Sequence, residues 1–294
     1  MYQFVLSLKE EAAIHRINTL HAIAGAGSGH PGGSFSAAEI ATCLFSVFMK
    51  YDSATPYAEQ RDRFILSKGH GVPIVYAALA GHGFFPIDEL AKLRRLGGLP
   101  GHASHVTPGI DAPTGSLGQG LSIAQGIAEA VSCKGIRANV YVVLGDGELQ
   151  EGQVWEAARV IGAANTRNVI AFIDANGVQQ TAPVESVSSV SPIKDKFLAF
   201  GWDAIGDDVP WGAPRESGHD FVFLINACSE ALTARKPTVV LCSTVKGKGV
   251  SFMENKAQWH GKAPKGGEYA QAIEELTASR AAAVEGYEKL KTSL

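Results

Sequence analysis

Three apolar runs punctuate the chain from its middle onward: NVYVVL at 139–144, NVIAFID at 168–174 and PTVVLCST at 237–244. They are short, rich in β-branched residues and lack polar alternation, which predicts strands buried on both faces of a sheet. Helical spacing separates them. Val154, Ala157, Ala158 and Ile161 share one face of a helix over about 150–164, and residues 220–235 read as a helix capped by Asp220. Upstream, Leu8, Ala12, Ile14, Ile17 and Leu20 make an amphipathic helix of residues 7–24. A second helix is expected to run to about Lys50, capped by Ser34 or Ser36. Residues 62–71 read as a short strand ending in a Gly-His turn, followed by a helix from about Pro73 to Ala80, and LSIAQGIAEAVS as a helix of small residues. Strands alternating with helices predict an α/β fold with a mainly parallel sheet and helices on both faces. The stretch 206–217 is the best candidate for a long exposed loop, and residues 268–290 for a polar, Ala-rich helix lying on the surface.

Composition narrows the function classes. With 46% hydrophobic and 19% charged residues in 294, the chain can fill a globular core. A net charge of -3 gives no electrostatic reason to expect nucleic acid or an anionic membrane as partner. No apolar run is long enough to span a bilayer. Cys43, Cys133, Cys228 and Cys242 form no CxxC pair, so reduced thiols and a cytoplasmic setting are expected, and the N-terminus carries no leader pattern.

The chemistry lies where the strands end. Asp146 follows one buried run, flanked by Gly145 and Gly147, and Asn176 follows the next, 30 residues on. Ligands of open α/β sheets sit outside the carboxyl ends of the strands. If these two strands are neighbours, a carboxylate and an amide oxygen converge there, a donor set suited to a hard cation such as Mg²⁺ that also holds a diphosphate. The Gly147 N–H can point at a phosphate oxygen. The plain alternative is that Gly-Asp-Gly is a common turn and Asn176 an Asx-turn. His30, His70, His102 and His260 fall in Gly-rich or loop segments; singly such residues are usually solvated, but loops gathering at one sheet edge could supply groups that move protons near neutral pH. For Lys246 and Lys248, in KGKG, a solvated turn is at least as good a reading as a role beside an anion.

At these residues the chain resembles transketolase. GDG followed by Asn about thirty residues later is the thiamine diphosphate motif, here GDGELQEGQVWEAARVIGAANTRNVIAFIDAN. SGHPGG at 28–33, DRFILSKGHG at 62–71, LPGH at 99–102, TGSLGQGLSIAQG at 114–126 and KGKGVSFMENKAQWHGKAP at 246–264 match in family order over nearly the whole chain. The resemblance implies a thiamine diphosphate-binding fold, with residues 1–294 as one diphosphate-binding domain plus a helical tail. It implies that Asp146, Asn176 and the Val178 carbonyl hold Mg²⁺ (or Ca²⁺ or Mn²⁺). His70, Gly147, Asn176 and His260 would contact the cofactor diphosphate, and Gly115 and Leu117 would line the thiamine site. His30 and His260 would handle the oxygen at the reacting carbon, and His102 the hydroxyl of the two-carbon fragment.

The glutamate that activates the cofactor ring belongs, in this family, to a separate pyrimidine-binding domain that the chain does not contain. The resemblance therefore implies one half of a split transketolase, active only with a partner, in an assembly of two copies of each, transferring a ketol unit from a ketose to an aldose. The chain would then be either a natural separate subunit or half of a longer protein, and a helical tail ending at Leu294 suits the first. Two alternatives stand beside this one: another thiamine diphosphate enzyme, such as a deoxyxylulose-phosphate synthase or a 2-oxo acid dehydrogenase α subunit, and a non-catalytic cofactor-binding relative. Two departures from the family pattern, the GVQQTAPVESV text after Asn176 and the length of 206–217, could alter the mouth of the site or a subunit contact.

Overall fold

The computed structural model describes residues 2–210, 212–214 and 216–292, with side chains through Lys289. Five parallel strands, β1 (Arg63–Leu66), β2 (Val140–Gly145), β3 (Val169–Ala175), β4 (Asp203–Ile205) and β5 (Thr238–Ser243), form one sheet in the order β1-β2-β3-β5-β4. Parallel neighbours require crossovers, and helices supply them. The crossover helices are α4 (Val72–Gly81), α5 (Gly120–Cys133), α6 (Gly152–Ala163), α7 (Val184–Ser188), α8 (Ile193–Ala199) and α9 (Phe221–Thr233); α1 (Tyr2–Ala26), α2 (Pro31–Ser36) and α3 (Ala38–Cys43) precede the sheet and α10 (Gly267–Thr292) follows it.

The apolar runs are continuous because each strand faces two cores. Tyr141 and Val143 of β2, with Ile170 and Phe172 of β3, point into a core shared with α1, α3, α4 and α9. The alternate residues Val140, Val142, Leu144, Val169, Ala171 and Ile173 point into a second core closed by α5, α6 and α8. Leu121, Ala124 and Ala128 of α5 and Val154, Ala157, Ala158 and Ile161 of α6 supply the apolar stripes expected of them. Asp220 caps α9 by accepting from the Val222 N–H at 2.9 Å. A third cluster, around Leu20, Phe35, Met253, Trp259 and Leu276, joins α1 and α10 to the segment that carries His260.

Several boundaries differ from the sequence reading. The second helix is broken into α2, α3 and a π-turn, Leu44–Phe48. Neither Ser34 nor Ser36 caps it. Pro31 starts α2, Ser34 Oγ donates back to the His30 carbonyl at 2.8 Å, and Ser36 Oγ donates to Asp174 at 2.6 Å. Helix α1 buries the polar His15, Arg16 and Thr19, whereas Ile14 and Ile17 are half-buried. Tertiary partners account for this: Arg16 forms a two-pronged ion pair with Glu39, at 2.6 Å for each bond. Strand β4 and the short helices α7 and α8 had no periodic signal, being three to seven residues long. Of the 206–217 loop, Trp211 and Arg215 lie outside the described residues; Asp208 turns inward and accepts the Ile193 and Lys194 N–H groups at 2.8 and 3.0 Å. The C-terminal helix packs along α1, with Arg280 reaching Glu10 at 3.0 Å.

Candidate active site

Strands β2 and β3 are neighbours, with Gly145 level with Asp174, so Asp146 and Asn176 emerge side by side at the carboxyl edge. The Asp146 carboxylate accepts the Gly147 N–H at 2.8 Å and the Gly177 N–H at 2.5 Å, which fixes its orientation. Asn176 Oδ1 accepts the Val178 N–H at 3.0 Å. Just below, the buried Asp174 receives Lys68 from the end of β1, Ser36 from α2 and Thr244 from the end of β5. One carboxylate thus ties four elements together two residues before Asn176.

The four loop histidines gather over this edge. His30 lies at the start of α2, His70 in the Gly69–Gly71 turn after β1, His102 in the loop before α5 and His260 after the Ala257–Trp259 turn. The His30 ring centre is 5.2 Å from that of His70, 5.8 Å from His102 and 5.4 Å from His260; His70 and His260 are 4.8 Å apart. His30, His70, His102, Gly115, Leu117, Asp146, Gly147, Asn176, Val178 and His260 all line one cavity of about 390 Å³. These ten residues therefore border the same space, whereas Lys248 does not.

Burial, helped by Arg94, His102 and Lys246, lowers the His30 imidazole to about 4. Burial and Lys246 lower His260 to about 3. His70 is also pushed well below its ordinary value, by burial and by Lys68, and His102 is lowered by burial and Arg94. At neutral pH the cluster is an array of uncharged donors and acceptors suited to sugar hydroxyls and carbonyls.

Two buried groups, Lys68 and Glu148, were missed, and Lys246 was left open between a solvated turn and a place beside an anion. Lys246 is 2% exposed, and its Nζ donates to the Val178 carbonyl at 2.8 Å and to His260 Nδ1 at 3.0 Å. Burial and Lys68 lower this ammonium to about 8, against the pull of Asp146 and Asp174. Lys68 donates to the Gly33 carbonyl at 2.6 Å. Glu148 accepts the Gly118 N–H at 2.8 Å, the Gly145 N–H at 3.1 Å and the Ser67 hydroxyl, locking the TGSLG loop to the strand ends; burial raises its carboxyl against those bonds. The KGKG text held the signal for Lys246, where the solvated turn stood beside it; Lys68, in SKGH, drew no reading, since lysine is so rarely buried.

The site fits a divalent cation with a diphosphate. Asp146, Asn176 and Val178 line the same cavity, Lys246 adds positive charge there while Lys68 is paired with Asp174, and the Val178 carbonyl accepts from the Lys246 ammonium. The three protein oxygens would leave the rest of a six-coordinate ion's shell to water or to phosphate oxygens.

Residues 8–285 match the family described as "Transketolase, thiamine diphosphate binding domain". The chain belongs to the transketolase family. It is 42% identical over 258 residues to the 6-deoxy-6-sulfo-D-fructose transketolase subunit SqwG of Clostridium sp. (strain MSTE9), covering 87% of this chain and 90% of that one. It is 36% identical to an apulose-4-phosphate transketolase subunit from Actinobacillus succinogenes, covering 92% and 95%. The crystal structure of the Campylobacter jejuni transketolase superposes with a TM-score of 0.84 at 26% identity, over 97% of this chain and 47% of that one. The chain thus spans nearly all of two transketolase subunits and about half of a transketolase of greater length. Among the described residues no helix is long and apolar enough to cross a membrane.

Proposed function

We propose that this chain is the diphosphate- and metal-binding subunit of a two-chain, thiamine diphosphate-dependent transketolase. The observation that carries the reading is the convergence of Asp146, Asn176 and the Val178 carbonyl with four histidines in one cavity, in a chain matching transketolase subunits almost end to end. Residues 1–294 would act as one diphosphate-binding domain with a helical tail. Asp146, Asn176 and Val178 would hold Mg²⁺; Gly147, His70, His260 and Lys246 would hold the diphosphate; Gly115 and Leu117 would border the thiamine. When bound, thiamine diphosphate supplies the carbanion-stabilising chemistry of C–C bond cleavage.

The chain's own residues then orient and protonate. His30 and His260 would hydrogen-bond the oxygen on the reacting carbon, and His102 would hold the hydroxyl of the two-carbon fragment. The enclosed edge would keep water from the reacting carbon. The pyrimidine-activating glutamate would come from a partner subunit, in a cytoplasmic assembly with two copies of each chain. Both related subunits are named for sugars with an anionic group, a sulfonate or a phosphate, and a phosphorylated or sulfonated ketose is the donor class proposed here.

The test is co-purification of the tagged chain, followed by a ketol-transfer assay on the chain with and without its partner. Transfer that requires the partner, Mg²⁺ and thiamine diphosphate together supports the reading. Transfer by the pure chain, or failure of the complex to bind the cofactor, overturns it.

A further inference from the structure

Arg94 stands at the rim of the site, and its side chain has an unusual setting. It is a non-glycine residue with φ of +58°, on the loop after the 3₁₀ turn Ile87–Lys92. Its N–H donates to the Leu99 carbonyl at 2.8 Å, closing that loop. The backbone turned this way sends the side chain across Gly101. A Cβ added to Gly101 would lie 2.7 Å from Arg94 Nε, so the path of the guanidinium depends on that glycine. The path ends at His30: Arg94 Nη2 lies 3.3 Å from His30 Nδ1. Among the described residues no carboxylate lies within ion-pair distance of this guanidinium, and His30 is the one side chain it bonds.

A guanidinium can only donate, so His30 Nδ1 must accept. A neutral imidazole carries one N–H, which this contact assigns to Nε2. That nitrogen faces the backbone at Gly261, next to His260, where an added Cβ would sit 3.7 Å away. We propose that Arg94 is a positioning residue that holds His30 in the Nε2–H tautomer, so that His30 meets the substrate as a hydrogen-bond donor to its carbonyl oxygen and not as a base. The depressed basicity of His30 agrees, since an imidazole with an ordinary value would be partly cationic near neutrality. A neutral donor aimed at a carbonyl oxygen stabilises charge that develops there during addition. The substrate part of this proposal rests on the transketolase reading; the tautomer does not.

The decisive measurement is a long-range proton–nitrogen NMR correlation on the full chain labelled with ¹⁵N-histidine. The expected pattern for His30 is a pyridine-like Nδ1 and a pyrrole-like Nε2, lost to tautomer averaging in Arg94→Met and largely kept in Arg94→Lys. A pyrrole-like Nδ1 in the native chain, or an unchanged pattern in Arg94→Met, overturns the proposal. This readout needs neither cofactor nor turnover, so it can fail while the ketol-transfer reading stands, and the reverse. In the partner complex, Arg94→Met is expected to lower kcat roughly 10- to 100-fold with cofactor affinity unchanged. A kcat that stays at the native value, or an equal loss of cofactor affinity, would refute a positioning role.

Discussion

The Val245 N–H donates to His219 Nε2 at 2.8 Å, and this contact sets the chain direction just before Lys246 enters the cavity. His219 Nδ1 in turn lies 2.7 Å from Glu39, whose carboxylate is shared with Arg16. Burial raises the Glu39 carboxyl, but Arg16 and His219 outweigh it and hold it well below the usual range. A buried relay from α1 through α3 therefore supports the end of β5. His219 is thus a structural residue that bears on the site. In His219→Leu the Val245 N–H loses its acceptor, and a loss of about 1–3 kcal/mol of stability is expected, read as a lower urea midpoint with unchanged slope.

Lys246→Met removes the ammonium from the Val178 carbonyl and from His260 while keeping the stem that packs in the cavity. Thiamine diphosphate affinity of the reconstituted complex is expected to fall about tenfold or more, because a charge-assisted contact is worth about 1.5–3 kcal/mol. Calorimetric titration with the cofactor at saturating Mg²⁺ would show it; equal affinity would place Lys246 outside the diphosphate site.

Asp146→Asn keeps the size of the side chain and removes its charge. Mg²⁺-dependent cofactor binding is expected to drop by about 100-fold, and chelation of the metal in the native complex should release the cofactor to a similar degree. If the variant binds the cofactor equally well with and without Mg²⁺ at native strength, Asp146 is not a ligand.

Burial lowers His15 to about 4, with Glu11 opposing. The ordinary value is 6.5, so between those two pH values the unfolded chain binds the extra proton and the folded chain does not. Stability from this group is present above about 6.5 and is lost as pH falls toward about 4, with a slope of up to about 1.4 kcal/mol per pH unit. His15→Gln keeps a polar partner for Thr42, which His15 meets at 2.9 Å, but cannot titrate. Denaturation midpoints across this range should therefore fall less steeply with acid in the variant than in the native chain.

Gly120 begins α5 against Ser67. A Cβ there would lie 2.3 Å from Ser67 Oγ, which also accepts the Gly120 N–H at 3.1 Å and donates to Glu148. Gly120→Ala is expected to cost about 1–3 kcal/mol through overpacking and to loosen the TGSLG loop that carries Gly115 and Leu117. Thermal denaturation tests the first effect and cofactor affinity the second.

The sequence was most informative where a signal is local. The three buried strands, the α6 stripe, the Asp220 cap and the glycine-flanked Asp146 all depend on residues within a few positions of one another. The misreadings arose where a distant partner decided the outcome. Ser36 looks like a cap until Asp174, 138 residues away, is placed beside it. Residues His15 and Arg16 interrupt an apolar face until Thr42 and Glu39 are seen to receive them.

The amino-acid sequence by itself determined the alternation of strands and helices, and hence the α/β class, because a pleated strand and a 3.6-residue turn impose their periods on neighbouring side chains. It also determined which polar residues stand just past strand ends. Only the tertiary structure decided that Lys68 and Lys246 are buried and that Glu148 clamps the TGSLG loop. It alone placed His30, His70, His102 and His260 within one cavity, with Arg94 against the first of them. The physical reason is that burying a charge is unfavourable unless its partners are present, and here those partners are brought from other strands and loops by the order of the sheet.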